Sequence, residues 1–412
     1  MGSLAPTPFT PPSTSTPYTH LSQYLTHPNR DHHAWWTTKA PLLTRFLQDC
    51  DYTVDAQYQY LTLFHNQLIP CLGIYTEPSV GDKGNTLLSG AGKLEIDRTF
   101  TASGSSLRIA FEPTSYLAGE GDTGPDPLNL LPLPGLLSAL RKLPGVDVGL
   151  DRYRTLSNAL TTSEADQATL LQSPELQAKL QTLPSRTQNI LALDLIDGSV
   201  RPELYFQPQL RALATKADVH TMLLNALQGL NANGALSPAL KLTEKYLTAS
   251  PSTTQPLFIS SELSTSPNTN SAKLFLIDSN ITLDTAQALW TWGRPDATPH
   301  PLQTLWESLG VVEGVRGPTE FPMMLILKLC EEAPFVRPQV ALPVVGMTEQ
   351  GVGEAVVRFF AAMGWETHAA GYLDSLRSYY PDVELGQALG KQAWIALSEF
   401  DRQGPALTVF YY

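Results

Sequence analysis

The sequence predicts an α+β fold in which ten antiparallel strands close into a barrel surrounded by helices. Three observations carry this: five pairs of alternating strand-like runs, turn residues inside the pairs, and near-constant spacing between the pairs. The first 17 residues, rich in Pro, Thr and Ser, read as a disordered tail, because they offer too little apolar surface to bury. Helical patterns follow at 37–50 and 53–69, the second ending at Pro70.

The strand pairs then run in order. KLEIDRTF (93–100) and SLRIAFEP (106–113) turn at Ser103-Gly104; NILALDLI (189–196) and VRPELYFQP (200–208) turn at Asp197-Gly198. LFISSEL (257–263) and AKLFLID (272–278) are joined by a Ser/Thr/Pro/Asn loop, and MMLILKLC (323–330) pairs with VRPQVALPV (336–344). KQAWIALS (391–398) and ALTVFYY (406–412) flank Gly404-Pro405. First strands starting at 93, 189, 257, 323 and 391 differ by 96, 68, 66 and 68 residues. Helical stretches at 209–230, 233–248, 282–294, 300–310, 348–364 and 368–379 lie between hairpins. The unit is helix–strand–strand–helix, repeated five times within one domain over 18–412. The longer first interval reads as an insertion at about 114–150. Tandem hairpins lose their exposed edges when the sheet closes, and a ten-stranded barrel leaves a lumen for a ligand.

Of 412 residues, 42% are hydrophobic and only 16% charged, and the formal net charge is −12. Such a chain has no basic footprint for nucleic acid or anionic lipid. Cys50, Cys71 and Cys330 lack the spacing of a zinc site or a disulfide framework, which fits a reducing compartment. No signal peptide or spanning run is evident, so a cytoplasmic enzyme is expected, a monomer or homodimer without cofactor or metal. Ser89-Gly90-Ala91-Gly92-Lys93 resembles only the end of a phosphate loop, and Leu94 stands where Ser or Thr is required. His32-His33 and Trp35-Trp36 read as a surface cluster at a helix start, and Trp290 and Trp292 as packing residues.

Period-two sorting separates the two barrel faces. Leu94 and Ile96 alternate with Glu95, Asp97 and Thr99; Leu107, Ile109 and Phe111 alternate with Arg108, Ala110 and Glu112. Arg201, Glu203 and Tyr205 share a face. The polar sets are expected to line the lumen, where acids and bases together suit chemistry on a small molecule.

Five strings in order on this frame resemble the dimethylallyltryptophan synthase family of fungal aromatic prenyltransferases, whose helix-wrapped barrel is called the ABBA or PT barrel. They are WWTTKAPLLTRFLQDCDYTVDAQYQYLTLFHNQLIPCLGIY (35–75), LRIAFEPTS (107–115), RTQNILALDL (186–195), ELYFQP (203–208) and GPALTVFYY (404–412). The resemblance implies secondary-metabolite chemistry. A prenyl diphosphate ionises in the barrel, an aromatic or indole acceptor captures the allyl cation, and basic side chains hold the leaving group without a metal. It places Glu95 as the acceptor-binding acid, Arg108 and Lys273 as diphosphate ligands, Tyr205 and Trp394 around the cation, and Gln339 as a polar diphosphate contact.

Several positions depart from the family pattern. Glu203 stands where a diphosphate lysine is expected, Phe275 where a second is, and Ile277 and Ala341 where tyrosines are. Trp394 replaces another tyrosine, and Ile190 the lysine that takes up the ring proton in the tryptophan-prenylating branch. Beside a polyanion, a Lys-to-Glu change turns attraction into repulsion, roughly 3–4 kcal/mol per interaction at about 4–5 Å and an effective dielectric near 20. Tolerating it needs Glu203 protonated, turned away or paired, with Arg201 and Lys273 the candidate partners; a two-residue slip in matching the motif would instead put Arg201 in the lysine's place. Two functions stay open: prenyl transfer, or a barrel repurposed for diphosphate-independent cyclisation of an intermediate, pericyclic closure included, with Glu95 and Glu203 as acid and base. A non-catalytic binding role accounts less well for acids and bases in one lumen.

Overall fold

A computed structural model describes the chain except residues 1–15, 76–92, 119–123, 182, 184–185, 197, 266–270, 295–296, 318–319, 334 and 400–403. The strands are β1 (Leu94–Thr101), β2 (Gly104–Phe111), β3 (Asn189–Ile196), β4 (Ser199–Phe206), β5 (Thr254–Glu262) and β6 (Ala272–Asp278). They continue as β7 (Asn280–Ile281), β8 (Gly314–Val315), β9 (Met323–Leu329), β10 (Val336–Pro343), β11 (Gln392–Glu399) and β12 (Pro405–Tyr411). Ten of them close in the order β1-β12-β11-β10-β9-β6-β5-β4-β3-β2, while β7 and β8 form a separate two-stranded ribbon. Every neighbouring pair in the barrel is antiparallel. The five expected hairpins are therefore all present, with ends shifted by no more than about three residues.

The alternating faces separate into two apolar clusters. Leu94, Ile96, Leu107, Ile109, Leu191, Leu193, Leu204 and their equivalents point outward into a core shared with the helices. A second cluster, including Ala110, Ile190, Phe258, Phe275, Ile326, Ala341, Trp394 and Tyr412, lines the inside. Closure pairs β1 with β12 from Ile96↔Tyr411 to Phe100↔Leu407, and Thr99 Oγ1 lies 2.9 Å from Thr408 Oγ1 across this seam. A bulge between Gln392 and Ile395 interrupts the β11–β12 register, and both Ala393 and Trp394 belong to the inner cluster.

The helical layer differs from expectation in places. The tail was expected to run to residue 17, but a helix occupies Pro17–Tyr24 with Thr16 as its capping residue. The next helix begins at Arg30, seven residues before the periodic pattern, because the Asn29 side chain accepts from the backbone N–H of His32 at 2.9 Å. Its start is not a surface cluster: Trp35 and Trp36 are buried, and Trp36 Nε1 donates to Ser22 Oγ at 2.9 Å under the first helix. The stretch 209–230 is two helices, Gln209–Thr215 and Val219–Leu230, separated at Lys216 in the left-handed conformation (φ 58°). Among the described residues, the long interval between β2 and β3 carries four α-helices, Pro132–Leu140, Leu150–Leu160, Glu164–Gln172 and Pro174–Leu180, of which the first lies within the expected insertion at 114–150. Trp290 is fully buried, and Trp292 Nε1 donates to the Leu242 carbonyl at 3.2 Å. The glycine-rich string at 89–92 lies outside the described residues. No described helix is long and apolar enough to cross a membrane.

Candidate active site

Period-two alternation and barrel closure bring inner-face residues of β2, β3, β4, β5 and β6 together. Arg108 on β2 faces Asp194 on β3 in register. Its Nε donates to Asp194 Oδ1 at 2.7 Å and its Nη2 to Oδ2 at 3.2 Å, a two-point contact that fixes the guanidinium plane. Nη1 donates to the Tyr205 hydroxyl at 2.9 Å, and Nη2 lies 2.8 Å from Glu203 Oε2.

Glu203 lies at the centre of this cluster and is 2% exposed. Its Oε2 also accepts from Lys273 Nζ at 2.8 Å, and its Oε1 accepts from Ser260 Oγ. Burial alone would raise its pKa, but Lys273 and Arg108, with hydrogen bonds from Lys273 and Ser260, hold it far below the carboxylate range. The lysine behaves differently from a simple ion-pair partner: burial, with Arg108 and Lys328 nearby, outweighs Glu203 and leaves its pKa lowered. Tyr205 is pushed well above the phenol range by burial and by Glu203, so it remains a neutral hydroxyl.

A second acidic group occupies β1. Glu95 and Asp97, 5% and 4% exposed, share the inner face two residues apart and hydrogen-bond to each other. Glu95 also bonds to the Tyr412 hydroxyl; its pKa is raised by burial, which these bonds and Arg108 only partly oppose. Asp97 is raised further, by burial and then by Glu95, and its Oδ1 has no hydrogen-bond partner. This local environment favours a protonated carboxyl in the pair.

An aromatic wall adjoins these polar groups. The Phe258 and Phe275 rings stack at 4.5 Å, and Tyr205 approaches Phe275 at 5.4 Å and Phe258 at 5.9 Å. On another wall, Trp394 meets Phe321 edge-on at 5.8 Å. The lumen therefore combines cations, carboxyls and ring faces, the elements needed to bind an anion, a hydrogen-bond donor and an organic cation.

Of the residues singled out by sequence, Arg108, Glu203, Tyr205 and Lys273 converge on one cluster, and Glu95 belongs to the adjoining acid pair. Gln339 and Trp394 lie on β10 and β11, where Gln339 is opposite Ile326 and Ser398, two strands along the same row from Phe275. Arg201 is exposed and pairs in register with Asp194, whereas Glu203 takes Lys273 and Arg108 as partners. Nor does Arg108 form a direct ion pair with Glu95. Asp194, Ser260 and Tyr412 were missed as site residues, although the inner-face period Ile190, Ala192, Asp194 could have identified the first.

Cys50, Cys71 and Cys330 are free thiols. Among the described residues, no group of three or more His, Cys, Asp or Glu side chains is arranged to hold a metal ion. A groove of about 320 Å³ outside the barrel, lined by Tyr58, Gln67 and Val146 among others, is remote from the charged cluster.

A helix-wrapped ten-stranded barrel with this lumen defines the prenyltransferase barrel class. AnaPT from Neosartorya fischeri superimposes with a TM-score of 0.83 at 23% identity, over 97% of this chain and 98% of that one, which establishes the shared fold. NotF, solved in complex with brevianamide F and DMSPP, gives a TM-score of 0.81 at 26% identity over 97% and 98% of the two chains. "Prenyltransferase phqA" of Penicillium fellutanum is 56% identical over 96% of this chain and 98% of its own length. The tryptophan dimethylallyltransferase family model matches residues 31–375. The chain belongs to this family of aromatic prenyltransferases, enzymes that transfer alkyl groups to aromatic or indole acceptors in fungal secondary metabolism. These relationships favour prenyl transfer over the diphosphate-independent cyclisation that the sequence left open.

Proposed function

We propose that residues 18–412 act as one barrel that transfers a prenyl group from a prenyl diphosphate to a tryptophan-derived indole acceptor, and that the lumen residues divide the work. The observation that carries this reading is the convergence of Arg108 and Lys273 beside the Tyr205–Phe275–Phe258 ring wall. In the proposed reaction, Arg108 and Lys273 balance the charge that develops on the departing diphosphate. The ring faces, with Trp394 across the lumen, lower the energy of the allyl cation and keep water from quenching it. Gln339 supplies a further polar contact to the diphosphate.

Glu95 is assigned to the acceptor. A raised pKa suits a buried carboxyl that accepts an indole N–H when ionised and becomes neutral when it takes a proton. Bond formation joins the allyl carbon to the acceptor, the carbon–oxygen bond to diphosphate breaks, and a carbon-bound ring proton, where one is lost, leaves to a base. Ile190 provides no base at its position, and the Glu95–Asp97 pair, whose carboxyls are raised by burial, is assigned to receive that proton.

The test is incubation of the purified full chain with dimethylallyl diphosphate and brevianamide F, followed by mass spectrometry. A product heavier by one isoprene unit, lost in Arg108→Ala, supports the assignment. Absence of such a product across dimethylallyl, geranyl and farnesyl diphosphates and a panel of tryptophan-containing cyclic dipeptides counts against it.

A further inference from the structure

We propose that Glu203 is a tethered anion that fills an oxygen subsite for diphosphate and thereby controls which anions the barrel admits. The inference rests on the proposed prenyl transfer only for the identity of the incoming anion. One oxygen, Glu203 Oε2, receives Arg108 Nη2 and Lys273 Nζ, each at 2.8 Å. A guanidinium and an ammonium converging on one oxygen form the donor set that recognises a phosphate oxygen. Ser260 donates to the other carboxylate oxygen, so the carboxylate is held on both sides.

Charge supports the same conclusion. Arg108 and Lys273 contribute two positive charges, which the carboxylates of Glu203 and Asp194 balance. A diphosphate entering this locally neutral cluster meets no net attraction unless a carboxylate moves away. Asp194 is poorly suited to move, because it holds Arg108 through two oxygens and lies on the neighbouring strand. Glu203 is linked to its cations through a single shared oxygen and has one more rotatable bond than an aspartate.

Further basic side chains lie beyond Lys273 on the same wall. Lys328 on β9 lies opposite both Lys273 on β6 and Arg337 on β10, which continues a basic row around the barrel wall. Lys328 Nζ is 3.8 Å from Glu262 Oε1, a loose contact compared with those at Glu203. An anion that displaces Glu203 thus gains Arg108 and Lys273, with Lys328 beyond them on the next strand.

Calorimetric titration of the full chain with inorganic pyrophosphate and with dimethylallyl thiodiphosphate tests this directly. Glu203→Gln, which keeps shape and removes charge, is expected to bind both anions roughly tenfold tighter or more than the parent. Glu203→Asp, which keeps the charge but withdraws it by one methylene, should fall between the two and guards against a folding defect in the first variant. Asp194→Asn removes an equal charge from Arg108 without releasing Lys273, and is expected to produce a smaller gain. The proposal is overturned if Glu203→Gln binds no tighter than the parent, or if Asp194→Asn gains as much. Tighter anion binding without prenylated product in any variant would sustain the subsite and remove prenyl transfer. Product from the parent with no gain in Glu203→Gln would do the reverse, and failure of every protein to bind either anion would remove both.

Discussion

Lys273 reaches across an entire strand to meet Glu203: the ammonium on β6 lies 2.8 Å from a carboxylate on β4, with Ser260 of β5 between them. The same carboxylate oxygen also meets Arg108 of β2, so one buried acid connects four strands of the wall. Ion pairs of this kind contribute little net stability when intact, because desolvation offsets attraction, yet removing one partner leaves an uncompensated buried charge.

Arg108→Met is accordingly expected to destabilise the fold by about 3–5 kcal/mol, since Glu203 and Asp194 lose their shared cation. Arg108→Lys should cost less but still lose the two-point contact to Asp194 and the bond to Tyr205. Urea unfolding of the three proteins measures this order; equal midpoints would show that the cluster is energetically neutral.

Acid should weaken the barrel through Glu203. Its folded pKa is depressed, so its stabilising contribution is present above the unfolded value of about 4.3 and is lost as pH falls towards the folded one. Glu203→Gln removes this titration. Its stability relative to the parent should therefore rise as the pH is lowered from neutrality towards 3, and a pH-independent difference would contradict the assignment.

The opposite sign applies to Asp97. Its folded pKa is raised, so the native state is favoured while both states are protonated and loses stability as pH rises through the folded value. Asp97→Asn should raise the melting temperature more at pH 8 than at pH 4. If Asp97 also receives the ring proton, its kcat should fall with little change in acceptor KM. A higher melting temperature with unchanged kcat would leave it a purely structural acid.

Glu349 gives a similar prediction away from the lumen. Burial raises its carboxyl to about 7 against hydrogen bonds from the backbone of Lys391 and Gln392, and its Oε2 has no partner. The penalty develops as pH rises from the unfolded value through about 7. Glu349→Gln should be stabilising at pH 8 and close to neutral at pH 4, as thermal denaturation at the two pH values would show. Equal effects at both would place the carboxyl's titration elsewhere.

The strand pattern was legible in sequence because each barrel strand has two different faces. Leu94-Glu95-Ile96-Asp97 encodes a residue facing helices and then one facing the lumen, and a turn residue such as Gly198 (φ 78°) marks the reversal. The helical boundaries were less legible: the helix beginning at Arg30 is set by the Asn29 cap, and its tryptophans are buried by a helix that the tail reading did not include.

The site was legible only as a set of inner-face residues. By itself, the sequence determined the hairpins and the lumen-facing positions of Glu95, Arg108, Glu203 and Tyr205, and the family resemblance added Lys273 and the substitution of an acid for an expected lysine. Tertiary structure decided that Glu203 pairs with Lys273 and Arg108, not Arg201, and that Glu95 meets Asp97 and Tyr412. The physical reason is that period-two alternation fixes the face of each side chain, whereas closure fixes strand order and register. Those two quantities determine which buried charges neutralise one another.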